Sequence, residues 1–116
     1  DRIYLKGTNS QMSYFDYLYA TNSLRADGNN AFTNTTIDNG YFANLGSAAY
    51  GVLISEGGGE TVSNNNITVA SGQRAIYIHQ SDNTKVTGNT INADYGIHIV
   101  IYDNNFYIHL MMSNGL

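Results

Sequence analysis

Glu56 and Glu60 flank Gly57-Gly58-Gly59, which sets two carboxylates at a spacing of four (60 − 56 = 4) in a turn made of glycine. Paired carboxylates act as acid and base in glycoside hydrolysis, or hold Ca²⁺ through their oxygens. Two solvated surface Glu are the plain alternative. Arg74 heads an apolar strand, where its guanidinium pairs either with a nearby acid of the chain or with the carboxylate of a uronate. Tyr77 and His98 fall at matching places in neighbouring repeats, and His79 follows Tyr77 by two residues on the same face. A Tyr and His pair is able to shuttle protons in β-elimination; filler on a sheet face is the competing reading. Tyr50 adds a ring on the expected substrate side, at the end of the stretch that begins at Asp38. The catalytic candidates are therefore Glu56, Glu60 and Arg74, and the substrate-binding candidates Tyr50, Tyr77, His79 and His98. No metal site or cofactor is expected; Ca²⁺ is the one ion the two Glu would suit.

These residues are placed by one short phrase of sequence that recurs. Gly51-Val52-Leu53-Ile54, Ala75-Ile76-Tyr77-Ile78 and Gly96-Ile97-His98-Ile99 each run small, apolar, variable, apolar, which is a strand pattern of period two. Val62-Ser63-Asn64-Asn65-Asn66-Ile67 precedes Val86-Thr87-Gly88-Asn89-Thr90-Ile91 at a step of 24 (86 − 62 = 24), as Val52 precedes Ile76 (76 − 52 = 24). The next step, Ile76 to Ile97, is 21 (97 − 76 = 21). Strands this short, broken by Asn, Gly and Ser at a fixed period, indicate a solenoid whose rungs pair in parallel about 4.8 Å apart. Ile76 and Ile78 then point inward and stack on Val52 and Ile54 below and on Ile97 and Ile99 above. Leu53, Tyr77 and His98 form an outer column. Asn65 and Asn89 fall at one bend, where Asn tolerates left-handed backbone angles and stacked amides bond from rung to rung.

The run from Asn66-Ile67 through Ile99 resembles the right-handed parallel β-helix repeat shared by pectate-lyase-like enzymes, polysaccharide epimerases and bacteriophage tailspikes. The likeness extends over the chain from Phe32 to about Val100. The resemblance implies an all-β, single-stranded right-handed parallel β-helix, partial or completed by an oligomer, with a polysaccharide or cell-surface glycan as partner. It also implies that Arg74 could serve as the base these lyases draw from Arg, and that long turn insertions wall the groove for the polymer. The Asp-Pro-His motif of mannuronan epimerases is missing because the chain has no Pro, and the dense Asp cluster of calcium-dependent pectate lyases is not visible.

One such insertion is expected between Asp38 and Tyr50. Phe32-Thr33-Asn34-Thr35-Thr36-Ile37 matches the Val62 hexamer at a step of 30 (62 − 32 = 30), six more than the next. Ahead of it, Arg2 to Gly7 alternates as a strand, whereas Ser10 to Leu24 fits helix and strand equally well. Its rings (Tyr14, Phe15, Tyr17, Tyr19) suit a cap, a subunit contact or a sugar platform. The expected division is 1–30, a strand and aromatic lead-in, and 31–116, the rungs, of which the last is altered around Phe106, Ile108, Leu110 and Met112.

The 116 residues allow one domain of at most about five rungs, roughly 20 to 25 Å tall. Its open ends need caps, partners or more chain, and the start at Asp1 suits a piece of something longer. Five Lys and Arg against nine Asp and Glu, with the basic residues scattered, argue against nucleic acid. No apolar run approaches a membrane span, and with no Cys there is neither a disulfide frame nor a thiolate metal site. Low charge with abundant Asn, Ser, Thr, Gly and Tyr suits an extracellular or virion surface.

The expected function is carbohydrate binding by the β-helix of a tailspike-like receptor-binding or polysaccharide-degrading protein, assembled as a homo-oligomer and most simply a trimer. The rivals are a complete polysaccharide lyase or hydrolase and a structural shaft or adhesin spacer. The triplets Asn34-Thr35-Thr36 and Asn66-Ile67-Thr68 fit N-glycosylation, but are cheap in so Asn-rich a chain.

Overall fold

The computed structural model describes residues 3–28 and 33–100, with residues 108–111 described as backbone. Phe32, Asp103, Asn104, Phe106 and Met112, together with the side chains of Ile108 and Leu110, lie outside the described residues. Fourteen strands follow one another among those described: β1 (Tyr4–Leu5), β2 (Gln11–Ser13), β3 (Asp16–Leu18), β4 (Leu24–Asp27), β5 (Thr36–Asp38), β6 (Tyr41–Ala43), β7 (Val52–Ser55), β8 (Thr61–Ser63), β9 (Asn66–Thr68), β10 (Arg74–His79), β11 (Thr84–Thr87), β12 (Thr90–Asn92), β13 (Tyr95–Val100) and β14 (Ile108–Met111). Each strand pairs with the one three places later, and every ladder is parallel. Three sheets therefore wrap one core, and the chain is an all-β parallel solenoid of about four turns.

Alternation decides which side chains fill the tube. In the first sheet (β1, β4, β7, β10, β13) Leu24, Val52 and Ile76 stack inward, as do Ala26, Ile54 and Ile78, all nearly or fully buried, with Ile97 and Ile99 packed on them. The second sheet contributes Ile37, Val62 and Val86, and the third contributes Tyr17, Phe42, Ile67 and Ile91. Each fully buried Ile or Val is worth about 1.5 to 3 kcal/mol relative to exposure, so these columns contribute strongly to holding the rungs together.

Register overturns one expectation. Ile37 pairs with Val62 (62 − 37 = 25) and Phe42 with Ile67 (67 − 42 = 25), so the Phe32 hexamer does not align with the Val62 hexamer. The pattern misleads because apolar residues five apart recur in steps: Phe32 to Ile37 mimics Ile37 to Phe42. The expected insertion at Asp38 to Tyr50 dissolves with it, since that stretch holds β6 and the step from Phe42 to Val52 (52 − 42 = 10) is only one more than that from Ile67 to Ile76 (76 − 67 = 9). The surplus lies mainly in the previous corner, where Ala26 to Ile37 is a step of 11 (37 − 26 = 11) and its successor, Ile54 to Val62, a step of 8 (62 − 54 = 8).

Ser10 to Leu24, which fits two periods, contains β2, β3 and the start of β4, and its rings divide. Tyr17 is buried and Phe15 packs edge-on against Phe42 with centroids 5.4 Å apart, whereas Tyr14 and Tyr19 stand out at 82% and 74% exposure. Strands on both sides of residue 30 pair in all three sheets.

The corners carry their own columns. Tyr14, Asn39, Asn64 and Gly88 occupy one left-handed position, and Asn9, Asn34, Gly59 and Asn83 another, with φ between 52° and 74°. Among the described residues, six of the ten non-glycine positions at positive φ are Asn, the type that tolerates this region best.

The amide ladder sits one residue beyond the first of these columns, so Asn65 and Asn89 are not themselves left-handed as expected. Both are buried. Asn89 Oδ1 accepts from the Asn65 backbone N–H at 2.9 Å and from Asn65 Nδ2 at 3.0 Å, and Asn89 Nδ2 donates to the Val62 carbonyl at 2.9 Å. Asn65 Nδ2 also donates to Ile37 O, and Asn65 Oδ1 accepts from Gly40 N. There the ladder stops, because the Phe15 ring fills the space a side chain on Gly40 would need: an added Cβ would lie 2.4 Å from Phe15 Cζ.

Candidate functional site

The outward residues of the first sheet form the site. Tyr4, Arg25, Leu53, Tyr77 and His98 succeed one another in register along one column. Arg74 faces Tyr95 beside them at the strand entry. The entry is tight: a Cβ on Gly51 would lie 2.5 Å from Ile67 Cγ2 and 2.6 Å from the Ala75 carbonyl. Only a small residue lets the chain turn there, and the residue before it is thrown outward. Tyr50, Arg74 and Tyr95 are those preceding residues, ahead of Gly51, Ala75 and Gly96.

Parallel stacking brings the rings into contact. Tyr50 and Tyr77 stack with centroids 4.9 Å apart and planes 30° from parallel, and Tyr77 meets His98 at 4.6 Å and 54°. Arg74 Nε donates to His98 Nδ1 at 2.9 Å, while its Cζ lies 5.1 Å from the centre of the Tyr95 ring. A guanidinium has no lone pair to offer, so His98 Nδ1 is the acceptor and the imidazole in this arrangement is neutral with its proton on Nε2. Arg74, Tyr95, Ile97, His98 and Ile99 line a hollow of about 260 Å³ at the same place. Stacked rings, one cationic fork and an imidazole N–H are suited to the apolar faces and oxygen-rich edges of a sugar chain.

Tyr50, Arg74, Tyr77 and His98 are thus brought together. His79 is one pleat further along β10, half-buried, in register with Ser55 and Val100 rather than in the ring cluster. Glu56 sits at a left-handed corner, with its backbone N–H on the His79 carbonyl. The glycine turn does lie beside Gln80 to Thr84 as expected, through a bridge from Gly58 to Asp82.

Glu60 has a different setting from the surface carboxylate its sequence context suggests. It is 1% exposed. Its Oε1 accepts from Thr33 Oγ1 at 2.6 Å and from Gly58 N at 2.9 Å, and its Oε2 accepts from the buried Ser81 hydroxyl, which in turn accepts from Thr84 Oγ1 at 3.0 Å. The three-glycine turn makes this possible, because any side chain on Gly57 would collide with the carboxylate. A carboxylate so enclosed is out of reach of a surface-bound polymer and ties the corner together. Among the described residues no group of three or more His, Cys, Asp or Glu is placed to hold a metal ion.

Sequence reasoning missed Tyr95 and Arg25. Tyr95 carried a signal, since Tyr95-Gly96 occupies the place of Tyr50-Gly51 and Arg74-Ala75 in the repeat. Arg25 carried none, because its rung has aromatic and Ala positions where the later rungs have Ile. The chain matches the family model described as "Right handed beta helix region" over residues 3–114. No curated protein and no solved structure matches it.

Proposed function

The chain belongs to the right-handed β-helix family, and on that premise we propose that the outer face of its first sheet binds an extended polysaccharide. The observation that carries this reading is the solvent-side stack of Tyr50, Tyr77 and His98, rings held in line by rungs about 4.8 Å apart. Rings so fixed lose little freedom on binding and offer flat apolar faces to pyranose C–H groups. Arg74 spends Nε on His98, which leaves the end of its fork to meet a carboxylate or a pair of hydroxyls. The protein is then the glycan-recognising β-helix of a tailspike-like receptor-binding or polysaccharide-degrading protein, acting at an extracellular or virion surface, with a homotrimer as the natural assembly.

Binding rather than turnover is the part supported, because Glu60 is enclosed and the ring cluster brings together Arg74, His98 and tyrosines rather than two carboxylates. A glycan array with wild-type protein, Tyr50→Ala and Tyr77→Ala is the test. The expected result is a defined set of bound glycans that both variants lose. An empty array, or variants that bind like wild type, would remove the reading. The parallel stack of rungs, with the buried Asn65–Asn89 amide pair at one bend, favours one other reading, a rigid shaft that binds no sugar, and an empty array would put it in front.

A further inference from the structure

We propose that Asn39 is a modification site, a latent point of spontaneous deamidation that the buried Asn65 side chain keeps closed. Asn39 precedes Gly40, and among the described residues it is the only Asn followed by Gly. That pair is the one most prone to the reaction, because a glycine nitrogen carries no neighbouring side chain to obstruct its approach to the asparagine amide carbon. The Gly40 nitrogen gives up its proton to hydroxide and its electron pair attacks Asn39 Cγ. The Cγ–Nδ2 bond breaks, and Nδ2 takes a proton back from water and leaves as ammonia. Water then opens the cyclic imide at either carbonyl, which gives aspartate or isoaspartate at position 39.

Three features of the corner hold the attacking nitrogen back. The Gly40 N–H donates to Asn65 Oδ1 at 2.8 Å, and an amide oxygen accepts that bond but is too weak a base to take the proton. Gly40 is itself buried, so hydroxide does not reach it while the corner is closed. The Phe15 ring lies over the glycine, at the place an added Cβ would need. The carbon under attack is less protected: Asn39 is half-buried at φ 54°, and its Nδ2 makes one long bond, 3.3 Å, to Asp38 Oδ2. Reactivity at Asn39 is therefore decided at its neighbour's nitrogen, by a side chain from the next rung.

Reaction undoes what holds the corner. Aspartate at position 39 sets a carboxylate where Nδ2 donates to Asp38, so repulsion replaces a hydrogen bond. Isoaspartate adds a backbone carbon between β5 and β6, which shifts Gly40 against Asn65 Oδ1 and loosens the amide pair from below. Loss of ammonia is not reversed, so altered chains accumulate with time. The site thus keeps a tally of how often this corner has opened, and it does so whether or not the first sheet binds a glycan.

Peptide mapping by mass spectrometry, on the full chain held in mildly alkaline buffer, is the test. Folded wild-type chain should deamidate at Asn39 roughly tenfold more slowly than the same chain in urea, and equal rates overturn the proposal. Asn65→Ala removes the acceptor and should raise the folded rate roughly tenfold. Asn89→Ala loosens the same corner but leaves Gly40 bonded to Asn65, which keeps its own bond to Ile37 O, and it should stay within about threefold of wild type. Equal acceleration in the two variants makes general loosening the cause and overturns the gate. If Asn65→Ala does not fold, hydrogen exchange of the wild-type chain decides: the Gly40 amide should be protected as well as the amides of β5 and β6, and exchange at the rate of an exposed amide overturns the proposal.

Discussion

Asn89→Ala is the sharpest perturbation of the fold. The Asn89 side chain is fully buried and, among the described residues, takes part in three hydrogen bonds, two accepted from Asn65 and one donated to Val62 O. Truncation leaves the Asn65 backbone N–H with no acceptor, which alone costs about 1 to 3 kcal/mol. Asn65 Nδ2 is affected less, because it keeps its bond to Ile37 O at 3.1 Å. Val62 O loses a donor, and a small void remains. The sum is about 2 to 4 kcal/mol. Urea denaturation followed by far-UV circular dichroism reads this as a lower midpoint at an unchanged slope. The control is Asn64→Gly, one residue before Asn65 at φ 55° and on the solvent side, which should stay within about 0.5 kcal/mol of wild type because Gly adopts that angle freely. A loss below about 0.5 kcal/mol for Asn89→Ala, or an equal loss in the control, would falsify the assignment of the ladder as a source of stability.

Three further outcomes are expected. Ile78→Asp buries an unpaired charge at a fully enclosed position and should prevent cooperative folding, while Tyr77→Asp on the outer face should shift the urea midpoint only slightly; equal losses would reverse the phase of β10. Glu60→Ala strips three donors of their acceptor and should lower Tm by roughly 5 to 15 °C in a thermal melt, and an unchanged Tm would show that the carboxylate does not bind the corner together. Light scattering should report a particle of three chains; a monodisperse monomer would remove the assembly.

How far the sequence could be read depended on the chemistry of each rung. From Val52 onward inward positions are Ile or Val and bends carry Asn, so the in-and-out phase, the rung-to-rung register and the Asn65 to Asn89 pair were all legible before any coordinates. Earlier rungs obey the same geometry with different residues: Phe15 and Gly40 fill the ladder column, and Tyr17 and Phe42 the Ile column. An aromatic can replace an amide only through tertiary packing over an adjacent glycine, and no local pattern announces that. Step length hides the period as well. Along the outer column from Tyr4 to His98 the successive steps are 21 (25 − 4), 28 (53 − 25), 24 (77 − 53) and 21 (98 − 77). In the candidate site, Tyr77 and His98 were legible from alternation. The burial of Glu60 was not, because it depends on Thr33 and Ser81, which are distant in sequence and reach it only once the rungs have stacked.

Between the third and fourth rungs all three sheets share a single offset: Val52 to Ile76 (76 − 52 = 24), Val62 to Val86 (86 − 62 = 24) and Ile67 to Ile91 (91 − 67 = 24). The chain there is a unit of pure translation, like one tread of a staircase. A second copy of residues 52–75 spliced after residue 75 would meet matching strands at every side and matching angles at the bends. It would lengthen the molecule by one tread, about 4.8 Å, and would move the Arg74 and His98 cluster away from Arg25 by that amount. The rung thus serves as a ruler, and the distance between two groups on the outer face becomes a quantity that can be set by counting residues.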